Sequence, residues 1–150
     1  MFRPDITALV ITLSVKKQPM KKSRPDRKDI PKGKCVCNYC PGKCCRYFAL
    51  PIDTPEDRKQ FDFIRWFLLH EKATVFVDDG TWYLLVYNKC KHLDDASNLC
   101  QIYESRPNIC RSYSSEKCEY EDYYVYDQYF ELPEQIEEYA EAVLGKRKSR

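Results

Sequence analysis

The chain has 150 residues, the length of one ordinary domain, and 43% of them are hydrophobic. This composition excludes a wholly disordered chain and can support a modest core. The net charge is only +2 at pH 7, but residues 1–34 carry ten basic and three acidic side chains, whereas residues 35–145 carry eleven and twenty. Because the globular part is acidic, we do not expect the whole domain to bind nucleic acid.

Residues 1–34 are predicted to be a disordered basic leader, with disorder from about residue 16 to residue 32, because basic residues and prolines alternate there without apolar periodicity. The apolar run over residues 6–15 is too short to span a bilayer, and its flanks lack the features of a signal peptide. We therefore predict a cytoplasmic protein without a membrane span. Residues 35–145 would form a cysteine-cluster metal-binding domain, followed by a basic tail over residues 146–150.

Five of the nine cysteines lie between residues 35 and 45, a density that no ordinary core requires. Cys37 and Cys40 are separated by two residues, so a tight turn can direct both sulfurs at one ion. The side chains of the neighbours Cys44 and Cys45 tend to diverge, so either they serve different ions or one binds metal while the other packs as a small apolar group. An odd count of cysteines favours reduced thiols, with a disulfide loop as the alternative.

The next predicted elements are a short buried strand over residues 47–50 and a helix from about residue 55 to residue 71. Thr54 is the expected capping residue, and Pro55 can occupy the first helical position. Apolar side chains then recur at the spacing of one helix face. This stripe, which we interpret as core, comprises Phe61, Ile64, Phe67 and Leu68, widened by Phe63 and Trp66. His70 follows at the helix end, where an imidazole can contact the last carbonyl groups.

A β-hairpin is predicted next, because residues 73–77 and 81–87 are rich in β-branched and aromatic side chains. The connection contains Asp79-Gly80, a favoured pair in tight turns. The second strand leads directly to Cys90, so the hairpin would act as a rigid arm that positions a ligand loop.

The second group of cysteines, Cys90, Cys100 and Cys110, recurs at intervals of ten residues. This spacing is too wide for a local chelate, so these residues can share a site only if the fold brings them to the first group. Pro107 can open a helix that holds Cys110 in its first turns beside Arg111, a setting that favours the thiolate form.

The C-terminal part begins with residues 120–130, which are dense in tyrosine and would form either an edge strand or a loop packed over the site. Pro133 can then open a final helix that Gly145 closes. The apolar face of this helix comprises Ile136, Tyr139, Ala140 and Val143. The elements together predict an α+β fold: a small metal-stapled domain with a long helix, a β-hairpin and a C-terminal helix around a cysteine cluster.

Several motifs occur in combination: Cys37-x-x-Cys40, Gly42-Lys-Cys44-Cys45-Arg46, Cys90-x-x-Leu93, and Cys100-x-Ile-Tyr-x-x-Arg-Pro-x-x-Cys110-Arg111. This combination resembles the YkgJ-like cysteine-cluster family, whose CxxCxxCC domain is described as zinc- or iron-chelating. The resemblance covers about residues 35–118. Pro41 is a departure, because it leaves three residues between Cys40 and Cys44 where the family name implies two. Cys35 and Cys118 fall outside the shared motifs.

The resemblance and the cysteine spacing predict a metal-binding protein that holds zinc, or alternatively iron or a [4Fe–4S] cluster, through thiolates from both groups. The expected ligands are Cys37, Cys40, Cys44, Cys45, Cys90, Cys100 and Cys110. Seven thiols exceed the four of one tetrahedral zinc, so either two ions share a bridging sulfur or the spare thiols are structural. His92 is a further candidate for completing a coordination sphere.

Two alternative functions remain open at this point. The resemblance also permits an iron–sulfur protein with a redox or methyltransfer-associated role. A metal-delivery or partner-binding module, with an unknown protein partner, would use the same ligand chemistry. Because the chain has no Gly-rich phosphate loop, Ser-His-Asp set or nucleotide motif, we do not predict an enzyme.

Overall fold

An antiparallel sheet with two helices on one of its faces forms the framework of the protein. The structure, a computed structural model, describes residues 24–116, 118–121 and 126–146. The strands are β1 (Phe48–Ile52), β2 (Ala73–Asp78), β3 (Thr81–Val86) and β4 (Gln128–Phe130), and the helices are α1 (Arg58–Leu68), α2 (Asn108–Arg111) and α3 (Pro133–Leu144). The predicted α+β class, with a helix, a hairpin and a C-terminal helix, is confirmed.

The sheet has the strand order β1-β3-β2-β4, and every neighbouring pair is antiparallel. The predicted hairpin is confirmed as β2 and β3, which pair from Ala73↔Val86 to Asp78↔Thr81. Asp79 and Gly80 both have positive φ, 47° and 73°, the conformation that a two-residue hairpin turn requires.

The core lies between the sheet and the helices α1 and α3. Its buried side chains are Phe61, Ile64 and Leu68 from α1, Val75, Val77, Trp82 and Phe130 from the sheet, and Ile136 and Ala140 from α3. The prediction that Phe63 and Trp66 widen the buried stripe is wrong, since these side chains are 58% and 51% exposed. They project from α1 away from the sheet, because two and five residues after Phe61 the helix has turned away from the packing face. Val143 of α3 is likewise exposed.

The start of α1 also differs from the expectation. Asp57, not Thr54, caps the helix: its carboxylate accepts a hydrogen bond from the backbone N–H of Gln60 at 2.8 Å, and the Gln60 side chain accepts from the backbone N–H of Asp57. This reciprocal capping box begins the helix at Arg58 instead of near residue 55. At the other end, Nδ1 of His70 lies 3.0 Å from the carbonyl oxygen of Trp66, as expected.

The two ends of the sheet are formed by short edge strands. The strand predicted over residues 47–50 is β1, but its prediction as buried is wrong, because Phe48 and Leu50 are half exposed at the sheet edge. The tyrosine-rich segment supplies the opposite edge as β4, and Tyr126 packs on Phe76 across the face that the helices leave open. Burial raises the pKa of Tyr126 to about 12.

An N-terminal arm, which we define as residues 24–30, contacts the segment around Tyr120. The Tyr120 hydroxyl donates to the carbonyl oxygen of Pro25 at 2.6 Å, and Arg27 forms two hydrogen bonds with the Glu121 carboxylate, at 2.7 and 2.8 Å. Buried and charged partners thus contact the arm, and the disorder predicted from about residue 16 to residue 32 stays a prediction. The division of the chain at residue 34 stays a prediction, and residues 1–23 and 147–150 lie outside the described residues.

Replacing Tyr120 by Phe is expected to loosen the N-terminal arm. The ring is only 2% exposed, so the substitution keeps the packing but removes the hydrogen bond to Pro25, at a cost of about 1 kcal/mol. Limited proteolysis at the basic residues of the arm should become faster. The control is Tyr103→Phe, because Tyr103 is 55% exposed; an equal change in that variant would contradict a specific role for the Tyr120 hydroxyl.

Candidate metal centre

All nine cysteines lie within the described residues, and all nine are free thiols. The alternative of a disulfide loop is therefore not found in this structure. Four thiols are partly buried, at Cys40, Cys45, Cys100 and Cys118, and the other five are exposed. All the candidate metal ligands from cysteine are thus free sulfur atoms, and five of them are accessible to an incoming ion.

The first group of cysteines lies on two tight 3₁₀ turns, Val36–Asn38 and Lys43–Cys45. Buried Val36 anchors the first turn, and Gly42, with φ of 72°, begins the second.

The second group is brought to the first by backbone hydrogen bonds. The N–H of Cys90 donates to the carbonyl oxygen of Cys45 at 2.7 Å, immediately after strand β3 ends. Leu93 then donates to the carbonyl of Cys90 and forms an isolated antiparallel bridge with Cys100. The second strand of the hairpin thus ends beside the first group, while its role as a rigid arm that positions a ligand loop stays a prediction.

Cys110 lies in α2, a helix of four residues that begins at Asn108, directly after Pro107. The guanidinium of Arg111 bridges the segment that precedes α2. It donates to the backbone carbonyls of Glu104 at 2.7 Å and Arg106 at 2.9 Å. This arginine thus shapes the loop through main-chain contacts.

The thiol of Cys45, in the first group, is influenced by all three cysteines of the second group. Its pKa is raised, first by burial and then also by the charges of Cys90, Cys100 and Cys110. Like charges raise a thiol pKa only when they are close. The one direct contact is with Cys90, whose N–H donates to the carbonyl oxygen of Cys45.

A different neighbourhood surrounds Cys37. Desolvation is the largest cause that raises its pKa to about 11, followed by the nearby thiols of Cys35, Cys118 and Cys40. Cys44 is influenced by cysteines of both sets. Desolvation raises its pKa to about 12, and Cys45, Cys40 and Cys37 raise it as well. A divalent cation would remove this mutual repulsion of thiolates, which is why the donor set suits a thiophilic metal.

The structure adds Cys35 and Cys118 to the neighbourhood of the expected ligands, although the sequence motifs leave both outside. Cys118 lies far from Cys37 along the chain, so no local spacing signals its influence on the pKa of Cys37. The only sequence signal is the identity of the two residues as cysteines in a chain already rich in them. His92, the other candidate, is exposed and accepts a hydrogen bond from Gln101 through its backbone carbonyl.

The thiols approach one another without reaching the arrangement of a bound metal. Within residues 24–116, 118–121 and 126–146, no group of three or more Cys, His, Asp or Glu side chains could hold an ion as placed. Binding would therefore require side-chain rotation, which the exposure of most of these cysteines permits. Over the same ranges, no helix combines the length and the apolar character that crossing a membrane demands.

Gly42 fixes the spacing between the two cysteine groups. A Cβ atom at this position would lie 2.8 Å from Cδ1 of Leu93, which is 4% exposed, and 3.4 Å from the carbonyl oxygen of Asn98. Arg46 reinforces the same contact by donating to the Asn98 side chain at 3.0 Å. The loop that carries Cys44 and Cys45 is thus packed directly on the segment between Cys90 and Cys100.

Replacing Gly42 by Ala is expected to destabilise the protein by about 2 kcal/mol, through overpacking against Leu93 and the cost of a left-handed conformation. The control is Gly33→Ala, because Gly33 also has positive φ, 84°, but a Cβ atom added there would meet nothing within 4 Å. It should lose only the conformational part, about 1 kcal/mol. Chemical denaturation measures both, and equal losses would show that the contact with Leu93 is unimportant.

Comparison with known proteins places the cysteine motifs in a family. The model of the CxxCxxCC family, described as "Putative zinc- or iron-chelating domain", matches residues 36–136, more than half of the chain. No curated protein and no solved structure matched the sequence. The matched residues include eight of the nine cysteines, all except Cys35.

Proposed function

Because this chain belongs to the CxxCxxCC family, we propose that it is a metal-binding protein that holds zinc or iron through cysteine thiolates from both sequence groups. The observation that supports this proposal most directly is the neighbourhood of Cys45. Its carbonyl oxygen accepts a hydrogen bond from the N–H of Cys90, and the charges of Cys90, Cys100 and Cys110 raise the pKa of its thiol. We define these four residues as the Cys45 site.

Four thiolates match the ligand requirement of a tetrahedral zinc ion. They also match that of a [4Fe–4S] cluster. The ligands of the Cys45 site come from a 3₁₀ turn, the segment that follows the hairpin, and α2. An ion held there would cross-link parts of the chain that are up to 65 residues apart. With four protein ligands no coordination position remains open for a substrate, an arrangement typical of structural zinc sites, which agrees with the absence of enzyme motifs.

The remaining expected ligands are Cys37, Cys40 and Cys44, which lie on or between the two 3₁₀ turns of the first group. Cys44 adjoins Cys45 in the same 3₁₀ turn, so it can support the Cys45 site by positioning a ligand thiol. Metal binding requires thiolates, so protons must leave as the ion enters, and affinity must fall as the pH is lowered. Nine reduced thiols also suit a reducing compartment, and we place the protein in the cytoplasm on that ground.

The test is metal analysis of the full chain purified without oxygen. We expect zinc or iron in stoichiometric amount, and the absorption spectrum distinguishes them: zinc leaves the protein colourless, whereas an iron–sulfur cluster gives a brown protein. Cys100→Ser should lose the metal of the Cys45 site. The control is Leu99→Ala, whose exposed side chain adjoins Cys100 and should be dispensable. Full metal content in Cys100→Ser, or none in the unchanged protein, would contradict the proposal.

A further inference from the structure

The outer edge of strand β1 has no partner strand among the described residues. The sheet order is β1-β3-β2-β4, so β1 pairs with β3 on one side only. Over residues 24–116, 118–121 and 126–146, no backbone hydrogen bond reaches the other side of the strand. A bare edge of this kind exposes main-chain donors and acceptors that another strand can bind, and natural proteins cover or block such edges.

The hydrogen bonds of the sheet show which groups this edge presents. The N–H of Tyr87 donates to the carbonyl oxygen of Lys72 at 2.7 Å, and the β2–β3 register places these two residues opposite each other. Because the bonding direction alternates along an antiparallel strand, Ala49 and Pro51 direct their backbone groups away from β3. Proline has no N–H, so the edge presents the N–H of Ala49 and the carbonyl oxygens of both residues.

Two apolar side chains beside this edge stay half exposed. Phe48 and Leu50 share a face of β1 with Ile52, which packs against the core between the sheet and the helices. Phe48 and Leu50 are nevertheless 45% and 50% exposed, so the helices leave this margin of the sheet uncovered. A groove lined in part by Ile52 and Phe67 runs between the end of β1 and α1. An added strand would place every second side chain against this apolar surface.

Residues 8–15 of the same chain, Ala-Leu-Val-Ile-Thr-Leu-Ser-Val, have the pattern of such a strand. Large apolar side chains occupy every second position, at Leu9, Ile11, Leu13 and Val15. Half of the eight residues are β-branched, and the segment contains no glycine, proline or charge. The sequence therefore supplies a strand with one strongly apolar face.

The described chain begins near the turn that leads into β1. The guanidinium carbon of Arg24 lies 5.0 Å from the ring centroid of Tyr120, and Lys43 of that turn donates to the carbonyl oxygen of Glu119 at 3.0 Å. Residues 16–23 can span about 26 Å when extended, whereas the five residues of β1 cover about 17 Å. Residues 8–15 can therefore reach the edge of β1.

The charges of the two parts are complementary. Residues 16–23 carry four lysines and no acidic residue. The segment that follows β1 exposes the acidic residues Asp53, Glu56 and Asp57. Opposite charges beside the groove favour the approach of the lysine-rich linker. A second copy could offer the same strand only at its own concentration, whereas the chain's own segment is tethered beside the edge.

We propose that residues 8–15 pair with the outer edge of β1 as a fifth strand of the sheet. Their large apolar side chains cover Phe48 and Leu50, and their opposite face lies on the side of the sheet away from the helices. The pairing does not depend on a bound metal. It bears on the metal centre nevertheless, because β1 begins three residues after Cys45, so the added strand stabilises the element that follows the first cysteine group.

Hydrogen exchange of the full chain tests the pairing at one amide. In the unchanged protein the N–H of Ala49 should be protected, although no backbone oxygen of a described residue accepts from it. Ile11→Asp places a charge against the apolar margin and should make this amide exchange about tenfold faster. Thr12→Asp adds the same charge on the opposite face and should leave the rate unchanged. Amides paired between β2 and β3 should stay protected in both variants, which shows that the domain remains folded.

A photoreactive residue at position 13 gives a second readout in the otherwise unchanged chain. It should cross-link to residues 48–50 within one molecule, at the mass of the monomer. An Ala49 amide that exchanges as fast as an exposed loop amide, or equal changes in Ile11→Asp and Thr12→Asp, would refute the pairing. Cross-links that join two molecules would assign the edge to a second copy, and a lack of cross-links to β1 would equally overturn the proposal.

Discussion

Removal of the bound metal by a chelator under reducing conditions is expected to unfold the cysteine-bearing segments while the sheet and its helices stay folded. The apolar core lies entirely in α1, α3 and the sheet. The cysteine-bearing segments bury few large apolar side chains, chiefly Val36, Leu93 and Tyr120. Structural zinc contributes on the order of 10 kcal/mol to small domains, more than these three side chains can supply.

Hydrogen exchange measures this expectation residue by residue. Backbone amides of Cys90 and Leu93, which bond within the metal centre, should lose protection after chelation, whereas those paired between β2 and β3 should keep it. Adding zinc back should restore the first set. Simultaneous loss of protection throughout the chain would contradict the expectation and show that the metal centre and the core unfold as one unit.

Replacing Trp82 by Ala is expected to cost about 4 kcal/mol of the free energy of unfolding. The indole is 5% exposed; it stacks on Phe130 with ring centroids 5.6 Å apart and meets Phe61 and Tyr139 edge-on. Its removal would leave a large cavity at the centre of the only sizeable apolar cluster among the described residues. Denaturation monitored by circular dichroism gives the value.

The second tryptophan provides the matched control. Trp66 is 51% exposed on the outer side of α1, so Trp66→Ala should cost about 1 kcal/mol or less. A loss in Trp66→Ala as large as that in Trp82→Ala would mean that the outer face of α1 is covered in solution.

Features that depend on neighbouring residues were predictable from the sequence. The Asp79-Gly80 turn and the β-branched and aromatic runs beside it predicted the hairpin, because tight turns and the strands they join are local. Pro133 and the apolar spacing predicted α3. The cysteine motifs were sufficient to identify the family. Where two local signals competed, the prediction failed: Thr54 and Asp57 both suit a helix cap, and only Asp57 has Gln60 three residues later to complete the capping box.

Features that depend on distant residues required the tertiary structure. Phe63 and Trp66 are predicted as core from the sequence, but an apolar helix residue is buried only where another element packs on it, and the sheet covers the opposite side of α1. The contact between Cys45 and Cys90 follows from the pairing of β1 with β3, in which Phe48 lies opposite Val86, and that between Arg27 and Cys118 spans 91 residues. The sequence by itself determined that this protein carries a thiol-rich metal-binding domain; only chain packing decided which thiols are neighbours, because proximity across such distances depends on the whole core.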